Sequence, residues 1–176
     1  MHKLRAWLFG MPATSLCASY SCAKFTKIKE TDMPSFGSKS KAALAKCHPL
    51  LQDIANEAIK EIDFMVLDAT RGRVDQQRAF AGGKSKARFG QSAHNYVPAI
   101  AFDLFPAPYD WNNQRAFTDL YRVMMRIAKA KNIPLRSGLD WNGDGNFADG
   151  WDAPHYELNP WRDWAKQSKL YEGDDD

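Results

Sequence analysis

Two histidines and two aspartates, held in two short segments, are the residues in this sequence best suited to chemistry. One segment runs from Ser92-Ala93-His94 to Ala101-Phe102-Asp103, and the other is Asp152-Ala153-Pro154-His155. A catalytic zinc site takes three protein ligands from imidazole nitrogen and carboxylate oxygen and leaves a fourth position for water. His94, Asp103 and His155 make up such a set. Asp152 is then left over, three residues before a ligand, as an acid able to take a proton from an activated water. The competing reading of the same residues is a pair of buried, hydrogen-bonded core histidines with no metal.

The order and neighbours of these residues carry a family resemblance. Ser92-x-His94, Ala101-x-Asp103 and Asp152-x-x-His155 are similar to the Ser-x-His, Ala-x-Asp, Asp/Glu-x-x-His signature of the zinc D-alanyl-D-alanine carboxypeptidases and L-alanyl-D-glutamate endopeptidases. These enzymes cut bacterial peptidoglycan peptides, and many are phage endolysins. In the commonest form of the signature the first His and the Asp lie closer together. Here Val97-Pro98 reads as an insertion in the connecting turn, and the usual glycine is missing. The resemblance extends from about Met33 to Leu158. It includes the stretch from Ser38 to Phe64, with a His48-Pro49-Leu50-Leu51 turn, and a strand, an arginine and a Gln-containing helix in that order.

The resemblance implies an α+β domain of the hedgehog/DD-peptidase-like zinc peptidase type, a small antiparallel sheet packed by helices. It implies Zn2+ on His94, Asp103 and His155, with Asp152 as the proton-transfer group. Counting back from Gln76-Gln77, Arg71 matches the family arginine best and Arg73 is its rival. A guanidinium there suits the scissile carbonyl or a substrate carboxylate. Ser92 would orient the first ligand segment. The implied activity is hydrolysis of peptidoglycan stem peptides by an endolysin acting on the L-Ala–D-Glu bond. A D-Ala–D-Ala carboxypeptidase and a non-catalytic wall- or virion-binding module of the same fold are the alternatives. The partner is peptidoglycan, and the chain is expected to be a monomer.

The composition reads as that of a soluble, globular domain. The 176 residues suit one domain with a sizeable core, and 44% hydrophobic with 26% charged residues is ordinary for a globular chain. A net charge of +3 favours approach to an anionic wall but is too small to argue for nucleic-acid binding, and no nucleic-acid motif is present. No run reaches the length of a membrane span. Three cysteines, Cys17, Cys22 and Cys47, form no CxxC pair, so a disulfide framework is not expected. That suits synthesis in a reducing cytosol followed by release to the wall with the help of another protein. Secretion applies instead if Lys3 and Arg5 ahead of Ala6-Trp7-Leu8-Phe9 begin a signal peptide.

The elements that must position the site follow from periodicity. Residues 1–32 read as an extension, 33–170 as the peptidase domain and 171–176 as an acidic tail. Ser38 is placed to cap a helix, with apolar residues recurring through Ile62 and a break at His48-Pro49, where His48 is a capping or surface residue. Phe64–Leu67 reads as a strand and Val74–Phe80 as a helix closed by Gly82-Gly83. The basic stretch Lys84 to Gly90 either flanks a substrate groove or is a solvated loop. Ala99–Phe105 reads as a strand with Ala101, Asp103 and Phe105 on one face. Trp111–Lys131 is an amphipathic helix, and Pro134–Leu139 a further strand. Pro154–Leu158 alternates so that Glu157 shares a face with His155 and can hydrogen-bond to it. A last helix is expected from Trp161 to Leu170.

Asp140, Asn142 and Asp144, followed by Gly145 and Phe147, copy the start of a calcium loop, but Trp151 stands where the closing Glu belongs. Ca2+ binding and a turn-rich rim loop both remain open. Four of the six tryptophans lie between 141 and 164, placed for stacking on glycan or for core packing.

Overall fold

The computed structural model describes residues 34–173. The signal-like start, Cys17 and Cys22 lie outside them. Two helices come first, α1 (Ser38–Ala45) and α2 (Pro49–Ala58), followed by strand β1 (Phe64–Asp68) and helix α3 (Arg73–Ala81). A 3-10 turn at Ala93–Asn95 leads through the short strand β2 (Tyr96–Val97) to β3 (Ala101–Pro106). Helix α4 (Gln114–Ala130), β4 (Leu135–Gly138), β5 (Asp152–Leu158), α5 (Trp161–Ala165) and β6 (Lys169–Leu170) complete the order.

The main sheet has the order β1-β3-β5-β4 with antiparallel pairing throughout, and β2 pairs with β6 in a separate two-stranded ribbon. The α+β architecture expected from the resemblance is therefore the one observed. Strand alternation sorts the sheet into two faces. Phe64, Val66, Phe102, Leu104, Tyr156 and Leu158 form a buried row. That row joins Leu51 and Ile54 of α2 and Leu120, Met124 and Ile127 of α4 in one core cluster. Full burial of each such side chain stabilises by about 1.5–3 kcal/mol. The opposite face carries Asp103, His155, Glu157 and Arg136, and the site is built there.

Element boundaries depart from the periodic reading where side chains cap or strands compete. The break at 48–49 is real: His48 Nδ1 accepts from Leu50 N at 3.2 Å, and Pro49 opens α2. Ser38 does not cap α1. Gly37 occupies that position without a side-chain bond, and Ser40 instead accepts from Val66 N at 3.1 Å, tying α1 to β1. Helix α4 starts later than Trp111 because Asp110 holds a turn through Asn112 N (2.9 Å) and Asn113 caps through Ala116 N (3.1 Å). Trp111 stacks on Phe105 instead, with ring centroids 4.2 Å apart.

The last helix stops at Ala165 rather than Leu170, because Lys169–Leu170 pair with Tyr96–Val97. Val97, the residue that looked inserted, thus supplies the edge on which the C-terminal segment lies. Tyr171 and Glu172 also hold to the domain rather than trailing from it. Tyr171 N donates to Asn95 O (2.8 Å), and Arg73 pairs with Glu172 (2.6 Å). Cys47 is buried and free, and burial pushes its thiol up to about 12.

Candidate active site

Three adjacent strands carry the centre. Asp103 of β3 lies directly opposite His155 of β5 and, across a register shift, opposite Asp68 of β1. His94 arrives from the 3-10 turn, where Ser92 Oγ accepts its backbone N–H at 3.4 Å. The inserted residues do not keep it away. His94 Nε2 is 3.1 Å from His155 Nδ1 and 3.3 Å from Asp103 Oδ1, and His155 Nδ1 is 3.2 Å from the same oxygen. The structure therefore brings His94, Asp103 and His155 into one triangle, buried apart from the partly open Asp103.

This triangle fits a metal ion. A tetrahedral zinc with bonds of about 2.0–2.1 Å places its ligand atoms about 3.3 Å apart, which is the observed spacing within a few tenths. The remaining ring nitrogens are already committed. His94 Nδ1 lies 2.8 Å from the Ala69 carbonyl and His155 Nε2 lies 3.1 Å from Glu157 Oε2. An outer N–H on each imidazole can donate to these oxygens, which leaves the inner nitrogen of each ring facing the triangle, the arrangement that orients metal-binding histidines. Arg136 in turn pairs with Glu157. Glu157 thus takes the place beside His155 expected from strand alternation.

In the metal-free chain the triangle is held by charge. Burial pushes the Asp103 pKa up, but the neighbouring His94 and His155 outweigh it and hold the carboxyl below the usual carboxylate range. Burial also works to lower His155, yet hydrogen bonds to Asp103 and Glu157 push it up to about 10. A divalent cation would replace the proton that His155 carries.

Asp152 lines the same cleft, of about 420 Å³, together with Arg71, His94, Asp103 and His155. Regular alternation would send Asp152 and His155 to opposite faces, since they are an odd number of residues apart. The β4–β5 register breaks between Ser137 and Gly138, so that Gly138 pairs with Asp152, and the break re-aims the aspartate. Gly138 is required for this approach, because a Cβ there would lie 2.8 Å from Asp152 Cβ and closer still to its carbonyl oxygen. Burial raises the Asp152 pKa, as does Asp103, while His155, His94 and Arg71 oppose the shift.

Arg71, and not Arg73, belongs to this cleft. Its Nε and a terminal nitrogen bond Asp68 Oδ2 at 2.9 and 2.6 Å, and it reaches within 3.5 Å of Asp103 Oδ2. Arg73 points outward, paired with Glu172 and 4.3 Å over the Phe89 ring.

With this geometry in place, comparison with known proteins is decisive. A profile described as phage L-alanyl-D-glutamate peptidase matches residues 33–159. The chain belongs to that family. It is 30% identical over 135 residues to the L-alanyl-D-glutamate peptidase of Escherichia phage T5, covering 70% of this chain and 96% of that protein. Its fold is similar to that in the crystal structure of Serratia marcescens L-Ala D-Glu endopeptidase ChiX. The TM-score is 0.60 at 21% identity, over 79% of this chain and 99% of that one.

Two buried polar residues of this family member, Gln76 beside the cleft and Asp140 in the loop before β5, hold their surroundings together by hydrogen bonds. Gln76 is completely buried in α3 and donates to Ala87 O (2.7 Å) and Ser85 Oγ (3.0 Å). Its carbonyl accepts from Asn95 Nδ2 (3.1 Å), which also bonds Arg71 O (2.9 Å). The only sequence signal was the Gln-containing helix of the resemblance. Asp140 is likewise a structural anchor. Its carboxylate accepts from Tyr121 OH (2.6 Å) and from the N–H groups of Gly143 (2.9 Å), Asp144 (3.1 Å) and Gly145 (3.1 Å). The calcium-like sequence from Asp140 through Asn142 and Asp144 thus closes its turn through backbone donors. Among the described residues no helix is long and apolar enough to cross a membrane.

Proposed function

We propose that this chain is a zinc endopeptidase that hydrolyses the L-Ala–D-Glu bond of peptidoglycan stem peptides, as a phage endolysin. The observation that carries the zinc is the His94–Asp103–His155 triangle, whose edges have tetrahedral length and whose outer ring nitrogens are already bonded. When bound, the ion supplies Lewis acidity and brings the pKa of a water molecule toward about 7.

The chain's own residues do the rest. Asp152 accepts the proton of the attacking water on its carboxylate and returns it to the leaving amine of D-Glu. A positioned group of this kind contributes about 10²- to 10⁴-fold in rate. Its raised pKa suits a group that must both take up and release a proton. Arg71, held by Asp68, presents a fixed cation to the oxygen on which charge develops. Ser92 fixes the turn that carries His94, and Glu157 fixes the His155 ring.

Digestion of purified peptidoglycan tests the reading. New N-terminal D-Glu is the expected product. Release of D-Ala would assign a carboxypeptidase, and no product at all would assign a binding module. The protein is synthesised in the host cytoplasm and acts as a monomer on the wall after release.

A further inference from the structure

The cleft has a cationic side that hydrolysis itself does not require. Lys84 and Lys86 line it from the loop after α3. Among the described residues no carboxylate lies within ion-pair distance of either lysine. Of the other charges of the cleft, Asp152 faces His155, His94 and Arg71, and the rest are paired. Arg71 is held by Asp68 and Asp103, and Glu157 by Arg136.

Nor is the lysine loop a loose surface segment. The buried Gln76 side chain bonds Ser85 Oγ and Ala87 O on either side of Lys86, and Ala87 N donates back to Ser85 Oγ at 3.2 Å. The Lys86 ammonium rests 4.5 Å from the ring centroid of Trp151, the residue next to Asp152. Trp151 stacks on Trp141 at 5.5 Å, and Trp141 lies 5.5 Å from the His155 ring. A fixed, acid-free cation therefore sits over an aromatic wall that continues down to the metal ligands. Trp151 remains 63% exposed, so the seat is open to a ligand.

The substrate chemistry supplies a matching anion. Glutamate has two carboxyl groups, and a peptide chain continues through at most one of them. The residue that follows the scissile bond thus keeps one free carboxylate close to the bond to be cut. We propose that Lys86, seated on Trp151 and supported by Lys84, binds that free carboxylate and makes the enzyme selective for D-Glu over its side-chain or α-carboxamide. This inference rests on the L-Ala–D-Glu endopeptidase reading and names the subsite that reads the second residue.

The test compares kcat/KM of the full chain on two synthetic stem peptides that differ only in a free carboxylate or a carboxamide on D-Glu. The wild type is expected to favour the carboxylate by about tenfold at low salt, with the preference shrinking as salt screens the pair. Lys86→Gln is expected to remove most of that preference by lowering the carboxylate rate alone, and Lys86→Arg to restore it. Equal rates on both peptides by the wild type, or the same loss on both in Lys86→Gln, would overturn the inference while leaving the endopeptidase intact. Cleavage of neither peptide by the wild type would overturn the endopeptidase reading and this one with it.

Discussion

Replacing Gly138 by alanine isolates the placement of Asp152 from the metal triangle. The new methyl would sit 2.8 Å from Asp152 Cβ, where ordinary contact begins at 3.4 Å, and it would press harder still on the Asp152 carbonyl oxygen. The obstacle is backbone, so no side chain can rotate away. Strand β5 must retreat from β4 by about 1 Å at its first residue, and a 1 Å misplacement of a reacting group costs about 10²-fold. The same overpacking destabilises the fold by about 1–3 kcal/mol. Asp103 and His155 sit farther along the sheet, His94 is held on its own turn, and the three pair with each other, so the metal should stay. Steady-state kcat on a stem peptide, zinc content by elemental analysis and a denaturant melt read the three effects separately. The expected outcome is kcat lowered about 100-fold with one zinc per chain still bound. A variant with undiminished kcat, or one that loses zinc and activity together, would refute the coupling of Gly138 to Asp152.

Five further outcomes follow from the same geometry. Asp152→Ala should lose about 10²- to 10⁴-fold in kcat with zinc content unchanged, and loss of the metal instead would make Asp152 a ligand. Zinc added to metal-free protein near neutral pH should release about one proton per chain, because His155 is pushed up to about 10 and must be neutral to ligate; a pH indicator in weak buffer reads this. The same raised pKa stabilises the metal-free fold in full below the ordinary value of 6.5, and the contribution is lost as pH rises through about 10, so melts of chelator-treated protein should weaken over that window and flatten in His155→Gln. Gln76→Ala should cost about 2–4 kcal/mol in a denaturant melt by stranding its buried partners, and calcium titrated at fixed zinc should move neither melting temperature nor activity, since Asp140 already accepts four donors.

What was legible in the sequence divides along physical lines. His94, Asp103, Asp152 and His155 stood out because metal chemistry restricts residue type, and each lay in a short segment whose neighbours repeat a family signature. Alternation placed Glu157 beside His155 because a regular strand keeps residues two apart on one face. The same rule does not reach Asp152, which lies before the expected strand and whose position depends on a break in register that only the β4–β5 pairing shows. Gly138 and Gln76 act through contacts with residues farther along the chain, and Asp68 through an ion pair to Arg71 three residues on, and no strand or helix periodicity announces them. The start of α4 was misplaced because Trp111 fits a helical stripe as well as it fits the stack on Phe105. The end of α5 was misplaced because its competitor, the pairing with β2, lies some seventy residues earlier in the chain.

The proposed function requires one divalent ion held by His94, Asp103 and His155 for cleavage. Elemental analysis of the purified chain, paired with product analysis on peptidoglycan before and after chelation, tests it most directly. One zinc per chain is expected, with N-terminal D-Glu produced only while zinc is bound and both lost in His94→Ala. Full release of N-terminal D-Glu by protein shown to be free of zinc and every other divalent metal would contradict it.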